Sequence, residues 1–145
     1  MKTITKVLCA TSCIILLDQA SKWFIRHYYP ADFICNSGMC FGIAQTSSIH
    51  GYVLQTALIS ISIIIATWYS YISYRKNTSI LPYALLIGGG ISNIIDRCTL
   101  GFVIDFISFR IKCGPWIYFW PWFNIADIAI VSGILLILYT SRTKK

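Results

Sequence analysis

The acids of this 145-residue chain are five aspartates, Asp18, Asp32, Asp96, Asp105 and Asp127, with no glutamate. Two of them lie in apolar surroundings on either side of one aromatic-rich segment: Asp105 in GFVIDF and Asp127 in FNIAD. Two carboxylates brought together cannot both ionise easily, so such a pair shares a proton. That state suits amide hydrolysis by the aspartic-protease route. One carboxylate takes a proton from attacking water while the other donates to the scissile carbonyl oxygen. Other chemistries have less to work with. His27 and His50 lack metal-ligand spacing, so neither a metal nor a cofactor is expected, and the serines have no convincing histidine base.

Around these two acids stand polar groups that need a reason to be there, because charge in a chain that is 57% hydrophobic is expensive. Asn93, Asp96 and Arg97 are spaced i, i+3 and i+4, so they share one helical face. Adjacent Asp96 and Arg97 fit a plain interfacial ion pair, but a guanidinium also grips carboxylates in a two-pronged fork that lysine cannot match. Asp18 and Lys22 are four residues apart and read either as a snorkelling pair at the interface or as support for a neighbouring site. Asn36 lies in an Asn-Ser-Gly turn, and Asn124 one turn before Asp127.

The elements that must hold these residues are membrane helices. Mean hydropathy is +0.68 with 12% charged residues, which excludes an ordinary soluble domain. The net charge of +7 is scattered in short clusters between apolar runs, so it speaks for orientation in a membrane and against nucleic acid. One polytopic membrane domain, residues 1–145, is expected, with helices at about 3–25, 49–74, 79–95 and 120–139 and outer loops at about 26–48 and 96–119. Pro82 and Gly88–Gly90 weaken the third as a soluble helix yet suit close packing in lipid. Asn77, Thr78 and Ser79 are candidate N-caps for it. Lys2 and Lys6 before an apolar run resemble a signal peptide, but the segment from Asp18 to Lys22 is a poor cleavage region, so an uncleaved helix is expected.

With the N-tail, the Arg75–Lys76 turn and the C-tail on one face, that face carries seven cations and no acid. The other half carries five cations and all five aspartates. The positive-inside rule then puts both termini in the cytoplasm and every aspartate in the outer half. Short strands at the membrane surface are expected within residues 26–48. The segment Pro115–Phe123 is expected to be an aromatic belt at headgroup level.

Five stretches, in order, give the chain a resemblance to the lipoprotein signal peptidase (signal peptidase II) family. Residues 18–22, DQASK, resemble its first motif, and residues 36–42, NSGMCFG, its N-x-G-x-A-F-G loop. Residues 88–97, GGGISNIIDR, resemble its G-G-A-x-G-N-x-x-D-R stretch, and GFVIDF and FNIAD the two segments bearing its catalytic aspartates. The resemblance implies an all-α integral membrane fold of four transmembrane helices with a small extracytoplasmic β-cradle. It implies removal of the signal peptide of a prolipoprotein on the N-terminal side of the diacylglyceryl-modified cysteine, in the bacterial inner membrane, with membrane lipid around the enzyme. The oligomeric state is not legible in the sequence, and a monomer is favoured. Asp105 and Asp127 match the catalytic pair. Asp18, Lys22, Asn36, Gly38, Phe41, Asn93, Asp96, Arg97 and Asn124 match positions that support the site or contact substrate, Asp96 by fixing Arg97 or a loop. Cys40 and Ser92 depart from the usual small residue and glycine.

Two other classes are weighed against this reading. Cys35 and Cys40 in one outer loop and Cys98 and Cys113 in the other would suit a quinone-coupled disulfide-forming oxidoreductase, but there is no Cys-x-x-Cys and the aspartates would have no task. A proton-coupled transporter would carry its acids near the midplane, whereas these gather at one boundary.

Overall fold

The structure, a computed structural model, describes residues 2–38 and 48–142. Four helices carry it: α1 (Lys2–Tyr28), α2 (Ile49–Arg75), α3 (Leu81–Leu100) and α4 (Ile125–Arg142). Three of them, Ile4–Tyr28, Ile49–Arg75 and Ile125–Arg142, are long and apolar enough to cross a membrane. Their outward faces are apolar, with Leu16, Leu17, Ile64, Trp68 and Leu135 among the exposed side chains. Such a surface is stable only against lipid.

Helix α3 lies at the centre, packed against each of the other three. Its three consecutive glycines explain how. Successive residues turn by about 100° around a helix, so neighbouring positions face different partners. A Cβ on Gly88 would lie 3.1 Å from Ile14 of α1, one on Gly89 2.4 Å from the Ala126 carbonyl of α4, and one on Gly90 2.9 Å from Ile63 of α2. Each glycine therefore lets one helix come close, and the polar end of α3 is walled by protein on all sides. This central position also accounts for its composition: Ser92, Asn93, Asp96 and Arg97 are all buried.

The third helix runs further than its apolar stretch suggests. It continues to Leu100 and ends at Gly101, whose φ of 83° is the left-handed turn glycine adopts without strain and whose N–H returns to the Arg97 carbonyl. Asp96 and Arg97 therefore stand inside the helix and not in the following loop. At its other end the N-cap is Ile80 and makes no side-chain cap, so Asn77, Thr78 and Ser79 do not take that part. Proline in the first turn lacks an N–H that would need capping.

Among the described residues, two small two-stranded sheets accompany the helices. Strand β1 (Ile34–Asn36) pairs antiparallel with β2 (Val103–Asp105), joining the two interhelical segments to one another. Strands β3 (Arg110–Cys113) and β4 (Trp116–Phe119) form an exposed hairpin that turns at Gly114, with β4 in the aromatic stretch. An isolated bridge between Ile107 and Phe123 leads the chain back to α4.

Candidate active site

Gly101 turns the chain out of α3 straight into β2, all three of whose residues are buried. The register sets Asn36 opposite Val103, one diagonal step from Asp105. Across that diagonal the Asn36 amide donates to Asp105 Oδ2 at 2.7 Å. The same Asn36 accepts from the Gly38 N–H at 2.8 Å, an Asx turn that fixes its own orientation. The other oxygen, Asp105 Oδ1, takes a 2.7 Å hydrogen bond from the Asn124 amide. Burial pushes the Asp105 carboxyl from its ordinary 3.8 up to about 7. The two amide donors and the charge of Lys22 pull the other way, and the charge of Asp127 adds to the rise.

Asn124 is the pivot between the two acids. Its Oδ1 caps α4 by accepting the Asp127 N–H at 2.9 Å, and Asp18 of α1 caps the neighbouring Ala126 N–H at 2.9 Å. These are the orphan donors of a helix's first turn. Because others cap the helix, the Asp127 carboxylate turns to α3, where Asn93 donates to its Oδ1 at 3.0 Å. Asn124 also donates to Asn93 Oδ1 at 3.2 Å. A continuous path thus runs Asp105, Asn124, Asn93, Asp127, through neutral amides only.

What orients Asn93 is a cation. Lys22 Nζ donates to Asn93 Oδ1 at 3.0 Å. An ammonium only donates, so the amide oxygen must face it and the amide NH2 must face Asp127. Lys22 is itself 1% exposed and makes ion pairs with Asp18 Oδ2 at 2.6 Å and Asp96 Oδ2 at 2.8 Å. Both acids have further duties. Ser92 donates to Asp18 at 2.8 Å, Gln19 donates to Asp96 Oδ1 at 2.8 Å, and the Ile104 N–H of β2 reaches Asp96 Oδ2 at 3.2 Å. Arg97 donates to the carbonyls of Gly38 at 2.7 Å and Asn93 at 3.3 Å, tying α3 to the turn after β1.

The structure gathers Asp18, Lys22, Asn36, Gly38, Asn93, Asp96, Arg97, Asn124, Asp105 and Asp127 at one end of the bundle, all buried. Phe41 and Cys40 lie outside the described residues. Asp18 and Lys22 are not a snorkelling pair; they face inward. Of the two tasks expected of Asp96, it holds the strand that follows, through the Ile104 N–H. Sequence reasoning assigned no role to Gln19, to Ser92 or to Tyr52, whose hydroxyl donates to the Arg97 carbonyl. The first two adjoin Asp18 and Asn93, and that adjacency was the available signal. Tyr52 carried none, being one aromatic in an apolar helix. Cys35, Cys98 and Cys113 are free thiols at the surface.

Two cavities meet at Asp127. A cleft of about 50 Å³ is lined by Asn36, Ile59, Asn93, Arg97, Val103 and Ile130. An apolar groove of about 220 Å³ is walled by Phe109, Trp120, Phe123, Ile128 and Val131. Phe109 stacks on Trp120 at 5.3 Å and meets Phe123 edge-on at 6.0 Å, which stiffens that wall.

Comparison with known proteins identifies the family of the chain. The peptidase A8 family model, signal peptidase (SPase) II, matches residues 10–143. A lipoprotein signal peptidase of Xylella fastidiosa (strain M12) is 39% identical over 147 residues, covering 89% of this chain and 86% of the relative. One of Blochmanniella pennsylvanica (strain BPEN) is 34% identical over 139 residues, covering 86% and 81%. A solved bacterial membrane enzyme, determined by the in meso method at 2.3 Å resolution, superposes with a TM-score of 0.68 over 97% of this chain and 89% of its own at 23% identity, a likeness of fold. The chain belongs to the signal peptidase II family and is an aspartic-type hydrolase of the bacterial inner membrane, multi-pass, with its site on the extracytoplasmic side.

Proposed function

We propose that Asp105 and Asp127 are the catalytic pair of a signal peptidase II that cleaves prolipoproteins immediately before the diacylglyceryl-modified cysteine. The observation that carries this reading is the amide path from Asp105 through Asn124 and Asn93 to Asp127, which holds two buried carboxylates with neutral donors. The nearby charges sum to zero. Asp18 and Asp96 offset Lys22 and Arg97, so a fully ionised pair would add two uncompensated negative charges to a buried site. One shared proton relieves half of that cost.

In this state the ionised carboxylate accepts a proton from water as the water oxygen bonds to the scissile carbonyl carbon. The protonated partner gives its proton to the carbonyl oxygen, and a neutral tetrahedral diol forms. Collapse restores the carbonyl and breaks the C–N bond. The proton gained from water passes to the departing cysteine nitrogen, and the diol proton returns to the pair. Asn36, Asn93 and Asn124 hold both carboxylates throughout, so little reorganisation is needed.

The two cavities suit the two halves of such a substrate. The cleft offers Asn36, Asn93 and Arg97 for the polar backbone of the signal peptide beside the scissile bond. The aromatic groove offers an apolar bed for the diacylglyceryl group. Helix α3, shielded by the other three, is the fourth span, and the termini lie in the cytoplasm as the Lys and Arg distribution favours. The test is to incubate purified enzyme with a diacylglyceryl-modified prolipoprotein and sequence the products by mass spectrometry. A single cut before the lipidated cysteine is expected. Cleavage elsewhere, or equal cleavage of an unmodified cysteine substrate, overturns the assignment.

A further inference from the structure

Lys22 is an unusual group to find at the centre of an acid-pair site. It is 1% exposed, and its ammonium has three N–H bonds and three acceptors: Asp18 Oδ2 at 2.6 Å, Asp96 Oδ2 at 2.8 Å and Asn93 Oδ1 at 3.0 Å. With every donor engaged, it has none left for a substrate. Each acceptor leads on to the pair. Asn93 holds Asp127, Asp96 holds the Ile104 N–H next to Asp105, and Asp18 caps Ala126 next to Asp127.

We propose that Lys22 is the positioning residue for both carboxylates, fixing their geometry through Asn93, Asp96 and Asp18 and using its charge to keep one of them ionised. The titratable and charged groups facing this centre are Asp18 and Lys22 from α1, Asp96 and Arg97 from α3, Asp105 from β2 and Asp127 from α4, with the neutral Tyr52 hydroxyl of α2 on the Arg97 carbonyl. With Lys22 present the first four sum to zero, and a pair holding one proton leaves a single buried negative charge. Without Lys22 the same protonation state leaves two. The pair then takes up a second proton near neutral pH, and no base remains to accept a proton from water. The charge of Lys22 acts in that sense on Asp105.

This rests on the assignment of Asp105 and Asp127 as the pair, and the test separates the two. Kinetics against pH are compared for the wild type, Lys22→Met, Lys22→Met with Asp18→Asn, Asp105→Asn and Asp127→Asn, on a diacylglyceryl-cysteine peptide, with thermal unfolding run in parallel. Removing the cation alone moves the pH profile of kcat/KM alkaline by about one unit or more. The double variant restores the charge count, while the amide oxygen that replaces the Asp18 carboxylate still accepts the Ala126 N–H. Its profile returns to the wild-type range, but kcat stays about tenfold or more below wild type because Asn93 has lost its orienting donor. Where the single variant does not fold, the double variant decides: wild-type turnover there overturns the proposal. An unmoved profile in folded Lys22→Met overturns it too, as does an equal alkaline shift in both. Activity in Asp105→Asn or Asp127→Asn removes the catalytic-pair reading instead.

Discussion

Replacing Asn36 by alanine tests the protonation of the pair through one hydrogen bond. The Asn36 amide donates to Asp105 Oδ2 at 2.7 Å, and donation to a carboxylate favours its ionised form. This bond opposes the burial that raises Asp105 to about 7, so removing it raises the carboxyl further. A hydrogen bond to a charged group is worth about 1.5–3 kcal/mol, and water entering the vacated space returns part of that. At about 1.4 kcal/mol per unit, the residual loss corresponds to a rise of about one unit. The catalytically competent state holds one proton, so activity falls on the basic side as that proton is lost. With Asp105 as the carboxyl that sheds the shared proton, the basic limb should therefore move alkaline by about one unit in Asn36→Ala. The limb must be read from kcat/KM, which reports the free enzyme, using a fluorogenic diacylglyceryl-cysteine peptide in mixed micelles. Turnover at the optimum also falls, because the turn at Gly38 loses its acceptor. A basic limb that stays in place or moves acid, in a protein that unfolds at the wild-type temperature, refutes the account of Asp105.

Gly89→Ala places a methyl group 2.4 Å from the Ala126 carbonyl, where backbone must give way, and so pushes α4 with Asn124 and Asp127 away from α3. A loss of about 1–3 kcal/mol in unfolding free energy is expected with an activity loss larger than stability explains, measured by denaturation in detergent beside the peptide assay. Val131→Trp fills the groove beside Phe109 and Trp120 while leaving the acid pair untouched. It should raise KM for long-chain diacylglyceryl substrates at least about tenfold, the scale of losing one or two buried methylenes' worth of fit, and leave a short-chain substrate nearly unaffected.

Much of this arrangement is legible in the chain because single polar residues in apolar stretches have few explanations. Asp105 and Asp127 each interrupt a run of β-formers or helix-formers, and that alone marks them. The helix pattern at Asn93, Asp96 and Arg97 likewise places them on one face. Pairings distant in sequence leave no such trace. Nothing in residues 34–36 announces β2 as their partner, nor does Lys22 announce Asp96 and Asn93 on another helix. Adjacency even misleads: Asp96 and Arg97 look like partners, but consecutive helical residues diverge by about 100°, and Asp96 faces Lys22. The three glycines read as a packing device, yet which helix each receives depends on where α3 sits in the bundle. The hairpin at residues 110–119 is hidden for another reason. Its aromatic and β-branched residues serve equally as a belt at the membrane surface and as strands, and hydrophobicity does not tell the two apart.

The central claim, that two aspartates share the chemistry, is tested most directly by comparing Asp105→Asn and Asp127→Asn with the wild type in single-turnover cleavage of a diacylglyceryl-modified prolipoprotein. Asparagine keeps each side chain's shape while removing its ability to take or give the proton. Both variants are expected to remain folded, to bind substrate, and to show no cleavage before the lipidated cysteine. Full cleavage by either one, cut at the same bond, contradicts the account.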